Sequence, residues 1–455
     1  MTRVLIVGAG PAGIRAAETL VAAGLHPVVV DEAARAGGQI YRRPPVGFSR
    51  APEKLYGSEA PKARALHDTF DALVAEDRIT HLPERSVMAL RDGVAHVLGA
   101  ARERVCYDRL IVATGATDRL APVPGWQVGG VYSLGAAQIA LKAQGIALGR
   151  KIALAGSGPL LTLLATQLIA AGANVAAVLD TAPMRAQIVG GLQMALARPF
   201  VTLRGLRLRA ALGRLYHAAV TLERIDSGGS GPTAIHWCDG SGTSRHTDCD
   251  MVGLGWHLRA DSTVPDLAGA SFAWNETFDQ WLPETDQLGR AKHGLYLAGD
   301  GLRILGADGA ELAGQAAAIA CLQDLGLPHR NPDPILRKLA RMQRFAAGMS
   351  RAFPWPGEAL QSLPDTATIC RCEGISAGDL RATLPLSGAE ANRAKSLARV
   401  GMGRCQGRYC QLAGAEILAA ASGRQPKQVG RLRAQPPARP AGIGAWLTEA
   451  TEDAE

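Results

Sequence analysis

The sequence predicts an α/β protein made of two nucleotide-binding-type units, with a small, helical, cysteine-bearing domain at the C-terminus. Three observations carry that prediction. A strand, glycine turn, helix and strand follow one another from Arg3, and the same order returns from Lys151. Two further apolar runs end in small or acidic residues, Leu110-Ile111-Val112-Ala113-Thr114-Gly115 and Gly294-Leu295-Tyr296-Leu297-Ala298-Gly299-Asp300. Four of the eight cysteines, Cys370, Cys372, Cys405 and Cys410, crowd toward the C-terminus.

In chain order, the first unit reads as a strand over 3–7, a turn over 8–13, a helix over 14–23 and a strand over 27–30. The second reads as a strand over 152–155, a turn over 156–159, a helix to 171 and a strand over 175–179, closed by Asp180. Short apolar runs bounded by glycine are what a parallel sheet covered on both faces requires. The simplest organisation is a first unit, 1–115 plus 286–330, interrupted by a second, 116–285. Residues 331–364 hold five prolines and read as helix plus linker. The cysteine domain follows over 365–424. The tail, 425–455, is Pro/Arg-rich and then acidic from Glu449 to Glu455, which suggests an extended or frayed end.

Composition narrows the function classes. At about 150 residues per domain, 455 residues suggest about three domains. With 47% hydrophobic and 20% charged residues, the chain builds a core and is not disordered. The formal net charge of +8 is mild at this length, and no Lys/Arg run marks a nucleic-acid surface. The uncharged stretch 160–179 suits a buried helix and strand better than a membrane span, and the opening residues do not read as a secretory signal. A cytoplasmic place is expected, free or at the inner membrane's surface.

Gly8-Ala9-Gly10-Pro11-Ala12-Gly13 fits G-x-G-x-x-G. Gly8 permits the tight turn, Gly10 lets a pyrophosphate approach the backbone, and Gly13 lets helix and strand pack closely. The helix opening at Pro11 and Ala12 turns its positive dipole end toward the phosphates. Asp31, or its neighbour Glu32, is placed to accept from ribose hydroxyls. Gly37, Gly38 and Gln39 follow and can wrap the phosphate side. Ala113, Thr114 and Gly115 are small where the chain passes close to a cofactor. Gly299 and Asp300 precede Gly306-Ala307-Asp308-Gly309, placing a carboxylate beside a ribityl chain.

The second fingerprint, Gly156-Ser157-Gly158-Pro159-Leu160-Leu161, puts Leu161 where the third glycine belongs. Asp180 there would favour NADH over NADPH. Two readings stay open: an NAD(P)H site, or a retained fold with a silent site. Trp256 and His257 are a further candidate lining. Neither unit holds a C-x-x-C pair, so dithiol exchange is not expected. Cys106, Cys238, Cys249 and Cys321 read as ordinary small hydrophobes.

The C-terminal cysteines form C-x-C…C-x₄-C. Four thiolates suit a [2Fe–2S] cluster, two per iron. Gly401, Gly403 and Gly407 can offer backbone N–H groups to the sulfurs, and Arg371, Arg404 and Arg408 can offset negative charge. The alternative is a structural zinc site, although zinc ligand pairs usually take C-x₂₋₄-C at both ends.

Residues 1 to 330 resemble the two-dinucleotide-domain flavoproteins of the glutathione and thioredoxin reductase type, which implies FAD in the first site. The cysteine segment resembles the bacterioferritin-associated ferredoxin-like domain in its flavoprotein-fused variant. It carries Gly401-Met402-Gly403-Arg404-Cys405-Gln406-Gly407-Arg408-Tyr409-Cys410. With Gly37-Gly38-Gln39-Ile40-Tyr41-Arg42, the chain resembles, nearly end to end, the flavoprotein α subunits of multi-subunit amine dehydrogenases. That group holds the A subunits of opine oxidases, the B subunits of hydrogen cyanide synthases and the α subunits of D-hydroxyproline dehydrogenases.

The resemblance implies a heteromer that oxidises an amino acid, imino acid or opine. Its partners would be a D-amino-acid-oxidase-like flavoprotein subunit, a small iron–sulfur subunit, and a respiratory electron acceptor, with room for an additional interface flavin. A stand-alone NAD(P)H-dependent flavin reductase is the alternative. No catalytic acid or base can be named.

Overall fold

The structure is a computed structural model and describes residues 2–45 and 47–448. Its first sheet has six strands in the order Arg290–Lys292, Leu295–Leu297, Arg109–Val112, Val4–Val7, Val28–Val30 and Thr80–Leu82. All neighbours are parallel except the first pair. Val4–Val7 is central and buried throughout, so a continuous Val-Leu-Ile-Val run was needed rather than an alternating one. Strands from before and after the 116–285 segment therefore share one sheet.

The helix Pro11–Ala22 packs on Gly306–Asp324. That contact explains the Gly/Ala-rich composition of the later helix. A Cβ on Gly314 would sit 2.0 Å from the Ala12 carbonyl oxygen. A three-stranded antiparallel sheet, Ser86–Arg91, Val94–Leu98 and Arg102–Cys106, flanks this layer.

The second sheet has five parallel strands in the order Tyr216–Ala218, Val175–Asp180, Ile152–Ser157, Met251–Trp256 and Val131–Ser133. The chain enters and leaves this unit through the antiparallel pair Ala116–Asp118 and Leu258–Ala260. The uncharged 160–179 stretch divides between the helix Pro159–Ala170 and the strand Val175–Asp180. Among the described residues, no helix is long and apolar enough to cross a membrane.

Residues 331–364 contain the helices Asp333–Ala352 and Gly357–Gln361. The first packs on Met184–Ala197, where a Cβ on Gly190 would meet the Ala352 nitrogen at 2.3 Å. The cysteine segment is not tethered at a distance. Trp126, Ile235, Leu360, Ile369, Cys370 and Ile417 belong to one buried cluster. Trp126 Nε1 donates to the Thr368 carbonyl at 2.6 Å, and Arg371 donates to the carbonyls of Val131 and Val128.

The tail is extended but, as far as residue 448, not frayed. Arg431 forks onto Asp266 at 2.6 and 2.7 Å, and the Ala438 N–H donates to the Met88 carbonyl at 2.8 Å. Short helices form at Pro426–Val429 and Ile443–Leu447. The expectation for Glu449–Glu455 lies outside the described residues.

Candidate functional site

The first glycine turn leaves no room for side chains where close packing was expected. Gly8 has φ +108°, and a Cβ there would lie 2.3 Å from the Ala113 oxygen. A Cβ on Gly13 would lie 1.8 Å from the Gly8 oxygen. Gly10 differs: a Cβ there meets only Gly38 Cα, at 3.7 Å, so this face is open to a ligand. The helix Pro11–Ala22 has no side-chain cap, and Ile14 N–H is bonded back to the Gly10 carbonyl. Open backbone and an uncapped helix start suit a dinucleotide pyrophosphate.

Asp31 accepts from the N–H of Ala9 at 2.5 Å and of Ala33 at 2.6 Å, which ties the second strand's end to the turn. Burial raises its carboxyl above the ordinary range, and these two donors only partly oppose that. Glu32 is exposed and pairs with Ser86 and, from the tail, Arg439. Gly38 packs on Gly10, while the exposed Gln39 side chain accepts from Arg42 rather than turning to the cleft. A Cβ on Gly299 would be 2.8 Å from Ala12 Cβ, so the late strand closes directly on the first helix.

Asp300 Oδ1 accepts from Leu305 and Gly306 N–H, at 2.8 and 3.1 Å. Its Oδ2 has no protein donor among the described residues and could accept from a ligand hydroxyl. Burial pushes this carboxyl from 3.8 to about 6. The unfolded chain therefore ionises Asp300 first, and stability falls as pH rises from about 4 to about 6, then levels. Asp300→Asn should remove that loss, gaining at most about 3 kcal/mol above pH 6 and nothing near pH 3. Thermal melts of the FAD-free chain across this range check it; a pH-independent difference would contradict the assignment.

The second turn is filled. Leu161 is fully buried in the core where a third glycine would stand. Asp180 is 1% exposed and already accepts from Tyr216 OH at 2.5 Å and from Ala182 N–H at 2.9 Å. A Cβ on Gly158 would touch His257 at 3.4 Å. His257 is held near Met349 and accepts from Leu258 N–H; burial, then Arg119, lowers it to about 4, so the ring is neutral. Trp256 Nε1 donates to Thr181.

Of the remaining cysteines, Cys249 and Cys321 are buried as expected. Cys106 is exposed on an outer strand, and the half-buried Cys238 faces Glu223, so neither behaves as a core hydrophobe.

The four C-terminal thiols lie close enough to affect one another's ionisation, Cys370 with Cys410 and Cys372 with Cys405. The Cys410 contact, aided by the N–H groups of Gly401, Glu373 and Cys372, lowers Cys370 to about 6. Burial raises Cys372, and the Cys370 contact raises Cys410. Among the described residues, no three His, Cys, Asp or Glu side chains are gathered as a site for a single metal ion. Gly403 must lack a side chain because its Cβ would be 2.3 Å from Cys372 Cβ. The helix Ala377–Arg381 starts on a Ser376/Asp379 capping box.

The arginines divide in a way the sequence did not predict. Arg371 donates to the carbonyls of Val128 and Val131, while Arg404 is exposed. Arg408 pairs with Asp261 at 3.3 Å. The Asp261 carbonyl accepts from Thr114 Oγ1 at 2.9 Å, and its N–H donates to the Gly115 carbonyl at 3.0 Å. Burial alone would raise Asp261, but Arg408 and Arg259 outweigh it and hold it ionised. Arg259 also donates to the Arg408 carbonyl. Asp261 and Arg259 belong to no motif; only their position on the returning chain brings them here.

Two doubly wound units, one with an open pyrophosphate turn, define the class: a two-dinucleotide-domain, FAD-dependent oxidoreductase. The family model described as Pyridine nucleotide-disulphide oxidoreductase matches residues 2–193, and Sarcosine oxidase A3 domain matches residues 370–450. The A subunit of opine oxidase from Rhizobium meliloti is 35% identical over 96% of this chain and 85% of its own length. Its counterpart in Agrobacterium tumefaciens (strain Ach5) is also 35% identical, over 96% and 89%. The HcnB subunit of hydrogen cyanide synthase from Pseudomonas protegens is 28% identical over 97% of each chain. The chain belongs to the opine oxidase A-subunit family. The crystal structure of L-proline dehydrogenase from P. horikoshii shares the fold, with TM-score 0.71 and 19% identity over 98% of this chain and 80% of that one.

Proposed function

We propose that this chain is the FAD- and [2Fe–2S]-containing electron-transfer subunit of a heteromeric dehydrogenase acting on an amino acid, imino acid or opine. One observation carries the reading. Arg408, between Cys405 and Cys410, is joined through Asp261 to Thr114 and Gly115 of the flavin loop. The thiol loop and the flavin loop are thus linked by an ion pair and two hydrogen bonds through Asp261.

In this reading Gly8, Gly10, Pro11, Ala12 and Gly13 receive the pyrophosphate, Asp31 the adenosine ribose and Asp300 the ribityl chain. Cys370, Cys372, Cys405 and Cys410 would hold the cluster, four thiolates being the donor set a dinuclear centre needs. The backbone N–H groups of Gly401 and Glu373 favour the thiolate form of Cys370. When bound, a flavin exchanges electrons in ones or twos and the cluster in ones, so together they connect a two-electron donor to a one-electron carrier. No acid or base of this chain is needed if the amine is oxidised on the partner.

The heteromer is supported by the relatives, which are themselves subunits, and by an exposed helical face. Leu196 is 90% and Phe200 86% exposed, with Ile188, Leu192 and Leu206 beside them. From 181 to 222 there are six arginines and no carboxylate, so this face fits a partner with an acidic rim.

The filled second turn speaks against hydride entry from NAD(P)H. Anaerobic titration tests the choice. With a D-amino-acid-oxidase-like partner assembled, an amino acid or opine should bleach the flavin absorbance, whereas NADH should not bleach it in the isolated chain. Prompt bleaching by NADH alone would favour the stand-alone reductase instead.

A further inference from the structure

We infer that Arg439, in the C-terminal tail, is a cofactor-contacting residue, and that residues 431–439 form a strap closing the outer side of the FAD cleft. This inference rests on the reading of Gly8–Gly13 as the FAD turn. It starts from where the Arg439 guanidinium stands. Nη1 pairs with Glu32, and Nη2 lies 4.0 Å from Asp261 Oδ2.

Those two carboxylates belong to opposite rims of the cleft. Glu32 follows the strand Val28–Val30, on one side of the central strand Val4–Val7. Asp261 is bonded to Thr114 and Gly115, which follow Arg109–Val112 on the other side. A side chain that reaches both must span the C-terminal end of the central strand. That end is the turn Gly8–Gly13, where strand order places a dinucleotide's phosphates.

The strap is anchored on both sides of Arg439. Upstream, Arg431 forks onto Asp266 at 2.6 and 2.7 Å and lies 3.8 Å over the Phe272 ring; Ala434 N–H also donates to Asp266 at 2.6 Å. Next to Arg439, Ala438 N–H donates to Met88 O. Downstream, Thr448 O accepts from Arg102 N–H at 2.9 Å. Arg439 is therefore delivered to the cleft by a held backbone, and it is only about a third exposed. With two carboxylates already facing one guanidinium, the arrangement suits a site that admits a phosphate diester: the fork can bond phosphate oxygens while still neutralising Glu32.

The charge also explains why an acid-lined rim accepts an anion. Glu32 would repel the pyrophosphate if left alone, whereas Asp261 already faces Arg408 and Arg259, and Arg439 is the cation placed against Glu32. Because the same tail is tied to Asp266, and residues 392 and 433 are bonded together, the strap joins FAD retention to the cysteine segment.

The test is FAD release from the full-length holoprotein, followed as the rise in free-flavin fluorescence after dilution. Arg439→Ala should release FAD about tenfold faster, as expected for loss of one charge-assisted contact. Its release rate should depend less on salt than that of the unaltered chain. Arg439→Lys should recover part of the retention, and Arg431→Ala, which frees the strap, should accelerate release without touching the cleft. Melting of the FAD-free chains separates a folding defect from a binding one. Release within twofold of the unaltered chain for Arg439→Ala, with the same salt dependence, would overturn the inference. A chain that binds no FAD at all would instead overturn the reading of Gly8–Gly13 beneath it.

Discussion

Gly13→Ala is expected to abolish FAD retention and to lower stability by about 3 kcal/mol or more. The added methyl would lie 1.8 Å from the Gly8 oxygen and 2.9 Å from the Gly8 carbon. Both are backbone atoms, so no side chain can swing aside. Gly8 cannot yield either, since it sits at φ +108° against the Ala113 carbonyl. The helix would have to back away from Val4–Val7, carrying the pyrophosphate-facing turn with it. Flavin absorbance per mole of protein, read beside a thermal melt, checks this. Gly24→Ala is the control: it also has positive φ, +85°, but nothing lies within 4 Å of its Cβ. It should cost only about 1 kcal/mol of backbone strain and keep the flavin. A fully flavinylated, normally stable Gly13→Ala protein would contradict the packing described here.

Cys405→Ser should remove the iron–sulfur shoulder from the absorption spectrum and leave the flavin bands in place. A serine hydroxyl does not ionise near neutral pH and is a poor substitute for a thiolate ligand. The loss should be complete rather than partial, because Cys405 is half of the Cys372 pair and no other described Cys stands in for it. The flavin turn meets this site through the Arg408–Asp261 pair and the tail rather than through Cys405 itself, so FAD content should stay within a few per cent of its former value. Metal analysis supplies the independent reading. About two irons per chain are expected before the change and essentially none after it. Zinc in place of iron in the unaltered chain would establish the structural zinc alternative.

Much of the fold was legible in the chain. The two glycine turns, the apolar strands after them and the clustered cysteines are local signals. Each arises because a backbone conformation, a pleated buried surface or a metal ligand restricts the residue types that can serve. Gly8, Gly13 and Gly403 are required by contacts of under 2.5 Å that no Cβ could share. Leu161 likewise announced that the second turn would not match the first. Other contacts were not legible, for physical reasons. Arg371 sits between two cysteines in sequence, yet the strand Thr368–Cys370 turns it toward Val128 and Val131. The proline-rich tail looked free because its partners, Asp266, Met88 and Glu32, lie far away along the chain.

By itself, then, the amino-acid order determined which segments become sheets and turns, and where a glycine turn leaves the backbone open. Those are properties of neighbours in sequence, set by sterics. Tertiary structure alone decided that Asp261 joins the thiol loop to Thr114 and Gly115, that Asp180 and His257 are already engaged, and that Arg439 reaches Glu32. Electrostatic pairing acts through space, so the charges that face one another are known only once the sheets have brought distant strand ends to the same edge.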